Sequence, residues 1–317
     1  MAYNYQTRTD YTRSIAKISF GYDWKETNYK THIFNPVEIN LVKIDPESKI
    51  LSDTNLMKNP FISNRFIDHF TTALKYTFIY NNQQINKNTN FTYFKANLEL
   101  AGNLLNGLNR LAKVEPSLND SSYHLLKIRY AQYARSDIDL RYYHTLNQHN
   151  TLVYRIAMGI GIPYGNSNAL PFEKSFFSGG ANGIRAWKAL ELGPGSFSSN
   201  SITIQLADIK IESNIEFRFD ITKMFQGAAF IDAGNIWMIN EDTLRPGANF
   251  ETNRFLSEIA IGAGLGLRLN FTFFIVRLDA AIPLKDPSSK PGNRWFTEFP
   301  INFKEGVIYN LGIGYPF

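Results

Sequence analysis

Five histidines, His32, His69, His124, His144 and His149, are the first residues to ask for chemistry, because imidazole binds metals and moves protons. None is spaced two or four residues from another, the intervals that set two imidazoles on one side of a strand or helix. No metal is expected. Asp137 and Asp139 are a second candidate, since paired carboxylates serve general acid–base catalysis. They alternate with Arg135 and Arg141, so a ladder of ion pairs along one strand face is the simpler reading. The run "GAGLGLRLN" has the glycine content of a dinucleotide loop but no helical pattern after it. Gly262, Gly264 and Gly266 then share one side of a strand and leave room for something packed against them. Cysteine is absent and no serine elbow occurs. The expectation is a protein that is not an enzyme and has no cofactor.

The elements that carry these residues are strands. Period-two alternation recurs from end to end, while helical periodicity is scarce. Ala16, Ile18, Phe20, Tyr22 and Trp24 share a face opposite Lys17, Ser19 and Gly21. Ile138, Leu140 and Tyr142 stand opposite Arg135, Asp137, Asp139 and Arg141. Ile209, Ile211, Ile215, Phe217 and Phe219 stand opposite Lys210, Glu212, Asn214, Glu216 and Arg218. "FQGAAFIDAGNIW", "LSEIAIGAGLGLRLN", "TFFIVRLDAAIPL" and the closing "VIYNLGIGYPF" continue the habit, giving about eleven strands.

A face made of arginines and aspartates is costly in the core between two sheets. It is natural where the other face meets lipid, and no amphipathic helix is evident to cover the apolar faces instead. Composition agrees: of 317 residues, 15% are aromatic, with 25 Phe and 17 Tyr, and 19% are charged. No run of apolar residues is long enough for a transmembrane helix, which leaves strands as the only spanning element. The net charge of +5 is spread along the chain rather than clustered, so nucleic acid is not expected as a partner.

Connections alternate in length. Short ones fall near 25–31, 81–89, 146–150, 220–224 and 270–271; long ones near 45–69, 103–130, 163–205, 238–255 and 285–306. Short turns on one side and long loops on the other characterise outer-membrane barrels, with the turns periplasmic. The last strand then ends at the periplasmic interface, with Phe317 in its aromatic girdle. An odd strand count cannot close a bacterial barrel, and "MAYNYQTRTDYTRSIAKISF" has no signal-peptide core. The expectation is therefore a partial domain.

The longest connection contains "FFSGGANGIRAWKALELGPGSF". Its Ile184-Arg185-Ala186-Trp187 resembles the sixth-loop signature of the BamA/TamA outer-membrane assembly family, also known as the bacterial surface-antigen family. Ala186 stands where that family has glycine. "NIEFRF", "FIDAGNIW", "GAGLGLRLN…FIVRLDAAIPL" and the terminal aromatic strand are similar to the family too. The resemblance implies an all-β fold, a transmembrane antiparallel β-barrel with about eleven strands present of an expected sixteen. Residues 1–317 would then be a partial barrel domain lacking its first strands and its periplasmic POTRA domains. It implies residence in the outer membrane of a Gram-negative bacterium, and insertion or translocation of proteins by strand pairing at a barrel seam. Partners would be the outer-membrane lipid bilayer, client outer-membrane proteins, and periplasmic or lipoprotein accessory subunits. Tyr315 and Phe317 would form the terminal-strand signal read during assembly. If the 163–205 loop folds inward, Arg185 needs carboxylates. Parity nominates Glu216 and Asp232, and the family's loop arginine is held by acids at matching positions. A passive channel or receptor, and a secretion translocator for one partner protein, are the alternatives.

Overall fold

The computed structural model describes residues 1–7, 12–45, 63–84, 89–118, 121–198, 204–271, 274–295 and 306–317. The strands are β1 (Ala2–Thr7), β2 (Thr12–Thr27), β3 (Lys30–Ile44), β4 (His69–Asn81), β5 (Phe91–Ala101), β6 (His124–Leu125) and β7 (Ile128–Arg129). They continue with β8 (Tyr133–Thr145), β9 (Asn150–Pro163), β10 (Ile209–Asp220), β11 (Phe225–Trp237), β12 (Ala260–Phe271), β13 (Phe274–Lys285) and β14 (Ile308–Ile313). One helix, α1 (Asn103–Leu111), stands among the described residues, with a single 3-10 turn at Phe172–Lys174. Twelve strands make one antiparallel sheet in the order β1-β2-β3-β4-β5-β8-β9-β10-β11-β12-β13-β14, and β6 with β7 forms a separate small hairpin.

Alternation in the sequence predicts about eleven strands; the main sheet has twelve among the described residues. β1 pairs with the start of β2 from Ala2↔Lys17 to Thr7↔Thr12, too short a pattern to stand out beside the polar residues that follow it. α1 lies in the long 103–130 connection, a helix that the sequence reading does not anticipate. β12 runs through Phe271, so residues 270–271, expected as a turn, are strand. Residues 46–62 of the 45–69 connection and 296–305 of the 285–306 connection lie outside the described residues.

Polarity is reversed relative to a water-soluble sheet. Along β9, Arg155, Ala157, Gly159 and Gly161 are buried, and Tyr154, Ile156, Met158, Ile160 and Ile162 are exposed. Along β10, Glu212, Asn214, Glu216 and Arg218 are buried while Ile215 is exposed. Leu265, Leu278 and Leu311 repeat the outward habit on β12, β13 and β14. Only an apolar surround makes that distribution favourable.

The chain packs as two compact units. The first comprises Met1–Ile79, Ala96–Asp137 and Ile160–Ser175. Its apolar centre is Ala73, Ala101, Ala131, Tyr133 and Leu170. Around it lie ion pairs: Lys17 with Glu38 at 2.7 Å, Lys174 with Glu99 at 2.5 Å, and His69 with Glu173 at 2.7 Å. Outside the spanning strands, Glu173 is buried, which works against its charge, but His69 overcomes this and holds the carboxyl down at about 2.

The second unit comprises Tyr80–Lys95, Ile138–Gly159 and Phe176–Phe317. Long hairpins set its register. Glu216 lies across from Phe230, Phe230 from Gly264, and Gly264 from Ala281. One row over, Asn214 faces Asp232 and Asp232 faces Gly262. In the row on the other side, Arg218 faces Ala228, Ala228 faces Gly266 and Gly266 faces Asp279. Side chains of one parity from neighbouring strands thus form layers on the inner face.

Ile156→Arg puts a charge on the outward face of β9. Denaturant titration in lipid vesicles should show a loss of about 2–4 kcal/mol if this site lies near the bilayer midplane. An unchanged titration would mean that this face of β9 does not meet lipid.

Candidate functional site

The 164–208 connection between β9 and β10 returns to the inner face of the second unit. Its "SGGANG" run turns tightly, with Gly179 and Gly180 at φ of 90° and 84° and the Gly180 amide donating to the Trp187 carbonyl at 2.7 Å. The turn presents Ile184, Arg185, Ala186 and Trp187 to strands β10 to β13. Ile184 packs with Leu192 and Ala260, and half-buried Trp187 closes that cluster. Ala186 packs with Phe230 and Ala281.

Arg185 has no exposed surface. Its Nε and Nη2 donate to the two oxygens of Asp232 at 2.8 and 2.9 Å, the bidentate fork that guanidinium makes with a carboxylate. Its backbone amide donates to Asp232 as well, at 3.0 Å. Nη1 donates to Glu216, and Asp279 lies 3.8 Å from the same nitrogen. The guanidinium carbon sits 3.3 Å from the centroid of the Phe230 ring, a cation–π stack. The Arg185 carbonyl accepts from Asn310 of β14 at 2.9 Å. Burial opposes the charge on this loop residue, but Asp232 and then Glu216 outweigh it, so the guanidinium holds its proton more firmly than a free arginine.

Each acid has further partners. Asn214 donates to Asp232 at 2.8 Å and to the Gly183 carbonyl at 3.1 Å, tying the turn to β10. Glu216 also accepts from Arg218 at 2.7 Å and Arg268 at 3.2 Å. Arg268 donates to Asp279 at 2.5 Å, and Arg277 reaches Asn182 of the loop at 2.9 Å. Ser178 of the loop donates to Glu212 at 2.8 Å. The result is a network in which charges of both signs interleave, the condition under which buried ions are tolerated.

The three glycines of β12 make space for it. A Cβ on Gly262 would overlap the Cβ of Ala186, one on Gly264 the Phe230 ring, and one on Gly266 the Arg268–Asp279 pair. Ala186 itself is not among the residues with positive φ, so alanine in place of the family's glycine carries no backbone strain. Asp139 accepts from Arg141 at 2.8 and 2.9 Å and from Arg155 at 3.1 Å, and Asp137 from Arg135, an ion-pair ladder as the alternation suggests.

Tyr315 and Phe317 depart from expectation. β14 ends at Ile313, and Gly314, at φ 87°, turns the chain out of alternation while its amide donates to Ile275 at 2.7 Å. The Tyr315 ring lies 4.2 Å from the Arg218 guanidinium. Phe317 is buried, its ring 5.7 Å from both Arg155 and Arg185. It does not occupy an outward girdle position. Aromatic faces drawn to guanidinium groups, with a glycine able to redirect the backbone, explain the change.

Phe230, Asp279, Asn214 and Asn310 belong to the site although the sequence reading, which quotes the stretches that contain them, assigns none of them a part in it. Register would have found the first two: Phe230 is opposite Glu216, and Asp279 is an acid on a strand whose other face is apolar.

A model of the Omp85 superfamily domain matches residues 2–307. Among solved structures, the chain is similar to BamA from Haemophilus ducreyi lacking POTRA domains 1–3, with a TM-score of 0.64 and 11% identity. That likeness covers 98% of this chain and 57% of the other. It is also similar to CdiB from Acinetobacter baumannii, with a TM-score of 0.51 and 12% identity, covering 96% of this chain and 42% of that one. The chain thus spans less than two thirds of the length of either. At these identities the likeness establishes the β-barrel fold.

Arg185→Ala should cost about 3–5 kcal/mol in denaturant titration, because Asp232 and Glu216 are left buried without their partner. Arg185→Lys should recover little of it, since an ammonium cannot fork onto Asp232 and stack under Phe230 together. Wild-type stability for the lysine variant would refute the bidentate anchor. A methyl swap tests the loop contact separately. Gly262→Ala should expose the loop to protease, and adding Ala186→Gly in the same chain should restore resistance.

Proposed function

The chain belongs to the Omp85 superfamily, and on that premise we propose that it is the membrane-embedded part of an outer-membrane protein insertion or translocation factor. Its place is the outer membrane of a Gram-negative bacterium. The observation that carries this reading is the docked arginine. A loop held by Asp232 and Glu216, with Asp279 near, occupies the inner face of β10–β13, where a diffusion channel would need open water.

The working surface is β14. Among the described residues it pairs with β13 from Val276↔Ile313 to Ala281↔Ile308, roughly half the span over which β10 pairs with β11. Its outward residues Tyr309, Leu311 and Ile313 are 78, 71 and 81% exposed. A short edge strand with an apolar outer face accepts another strand by backbone hydrogen bonding, largely without regard to the incoming sequence. We assign to β14 the pairing of a client outer-membrane strand, which then leaves sideways into lipid with its backbone groups satisfied. The docked loop, through the Asn310–Arg185 hydrogen bond, keeps the inner side of that strand in place during exchange. No covalent chemistry is involved. Clients would be other outer-membrane β-barrel proteins, with periplasmic or lipoprotein subunits delivering them.

The test is reconstitution. Vesicles containing the full-length protein should accelerate membrane insertion of a urea-unfolded eight-stranded outer-membrane barrel at least several-fold over empty vesicles. Proline at Leu311, which disturbs the pairing edge of β14, should abolish the acceleration. Equal rates with and without the protein, accompanied by a large steady conductance, would favour a passive channel.

A further inference from the structure

Helix α1 is amphipathic in the wrong sense for water. Leu104, Leu108 and Leu111, at i, i+4 and i+7, form one stripe, and they are 59, 52 and 83% exposed. Asn103 and Asn109 lie off that stripe and bond to the protein. Asn103 accepts from Gln132 at 3.1 Å and from Tyr164 at 2.9 Å, and Asn109 donates to the Tyr130 hydroxyl at 3.2 Å. The root of the helix is fixed too: the buried Gly102 amide donates to the Thr72 carbonyl at 2.8 Å. The helix therefore cannot roll its leucines inward without breaking these bonds.

What covers the stripe follows from its neighbours. Leu104 lines an apolar groove of about 470 Å³ together with Pro36 and Val37 of β3, Leu74 of β4 and Leu100 of β5. Val37 and Leu74 belong to the outward, lipid-facing surface of their strands, and Leu98 on β5 extends that surface. The leucine stripe is thus continuous with a face already turned to the bilayer. Arg110, the one charged residue of the helix, is exposed; exposed Lys113 follows it, with exposed Glu115 two residues further on. Leucines on one side and cations at the end is the composition of a helix lying at the membrane interface, with its cations at the headgroups.

We infer that α1 is an in-plane membrane anchor, its leucine stripe and the groove beside Leu104 covered by acyl chains of the bilayer. This inference rests on the membrane-spanning reading of the strands and adds a lipid site outside them. The anchor would fix the β5–β8 connection at the bilayer surface instead of leaving it in water.

These 317 residues contain no cysteine, which permits a direct test in the full-length protein cleared of any cysteine elsewhere. Single cysteines at Leu104, Leu108, Leu140 and Gln84 carry a nitroxide label, in vesicles of phosphatidylethanolamine and phosphatidylglycerol. Leu140 on the outward face of β8 is the lipid reference, and exposed Gln84 in the β4–β5 turn is the aqueous one. Collision with dissolved oxygen relative to a water-soluble nickel chelate should be several-fold higher at Leu104 and Leu108 than at Gln84, approaching Leu140. Ratios equal to Gln84, with Leu140 lipid-like, would overturn the anchor alone. Labels immobile and shielded from both reagents would mean that protein covers the stripe, which also overturns it. A water-like Leu140 would refute the spanning reading, and the anchor with it.

Discussion

A guanidinium with no exposed surface is a demanding thing to build around. Arg185 is accommodated because β11 supplies a carboxylate at the right height for its fork and β10 supplies a second for its remaining nitrogen. An aromatic ring covers the flat side. Remove any of these and a buried charge is left partly unmatched, at a cost comparable to a large share of a domain's net stability. Much of the second unit can be understood as meeting that requirement. Asn214 orients Asp232, Arg218 and Arg268 balance the remaining oxygen of Glu216, and Arg268 is in turn answered by Asp279.

Space is the other half of the requirement. A loop cannot reach the inner face of a sheet whose side chains already fill it. β12 is the strand that yields, and it does so with glycine at each inner position from 262 to 266. The methyl of Ala186, the ring of Phe230 and the Arg268–Asp279 pair take the vacated volume. Charge and volume are thus solved on different strands. This division allows the loop to dock with ion pairs on β10 and β11 while lying close against β12.

Strand faces are legible in the sequence because lipid on one side enforces strict alternation, and a period of two survives without any knowledge of neighbours. Glu216 and Asp232 follow from the same parity: each is an acid at an inward position on strands that come soon after the loop. Phe230 does not follow, since its part depends on lying across from Glu216, and register is fixed only by pairing. The α1 helix escapes because its leucines sit in a nine-residue stretch inside a long connection, where helical periodicity has little room to show itself. Alternation misplaces Phe317 for a local reason. The pattern continues through Tyr315 in the sequence, but Gly314 adopts a conformation open to glycine and ends the strand before it.

Register gives the arginine site one further meaning. Sliding β11 by a single residue against its neighbours would turn Asp232 toward lipid and bring Ile231 inward. The loop would then find a hydrocarbon side chain where its guanidinium needs an anion, and could not settle. The docked arrangement draws on residues of β10, β11, β12 and β13 at once, and so on the offsets that bring them together. The docked loop is thus matched to one parity of β11, and any slip by an odd number of residues removes the carboxylate it needs.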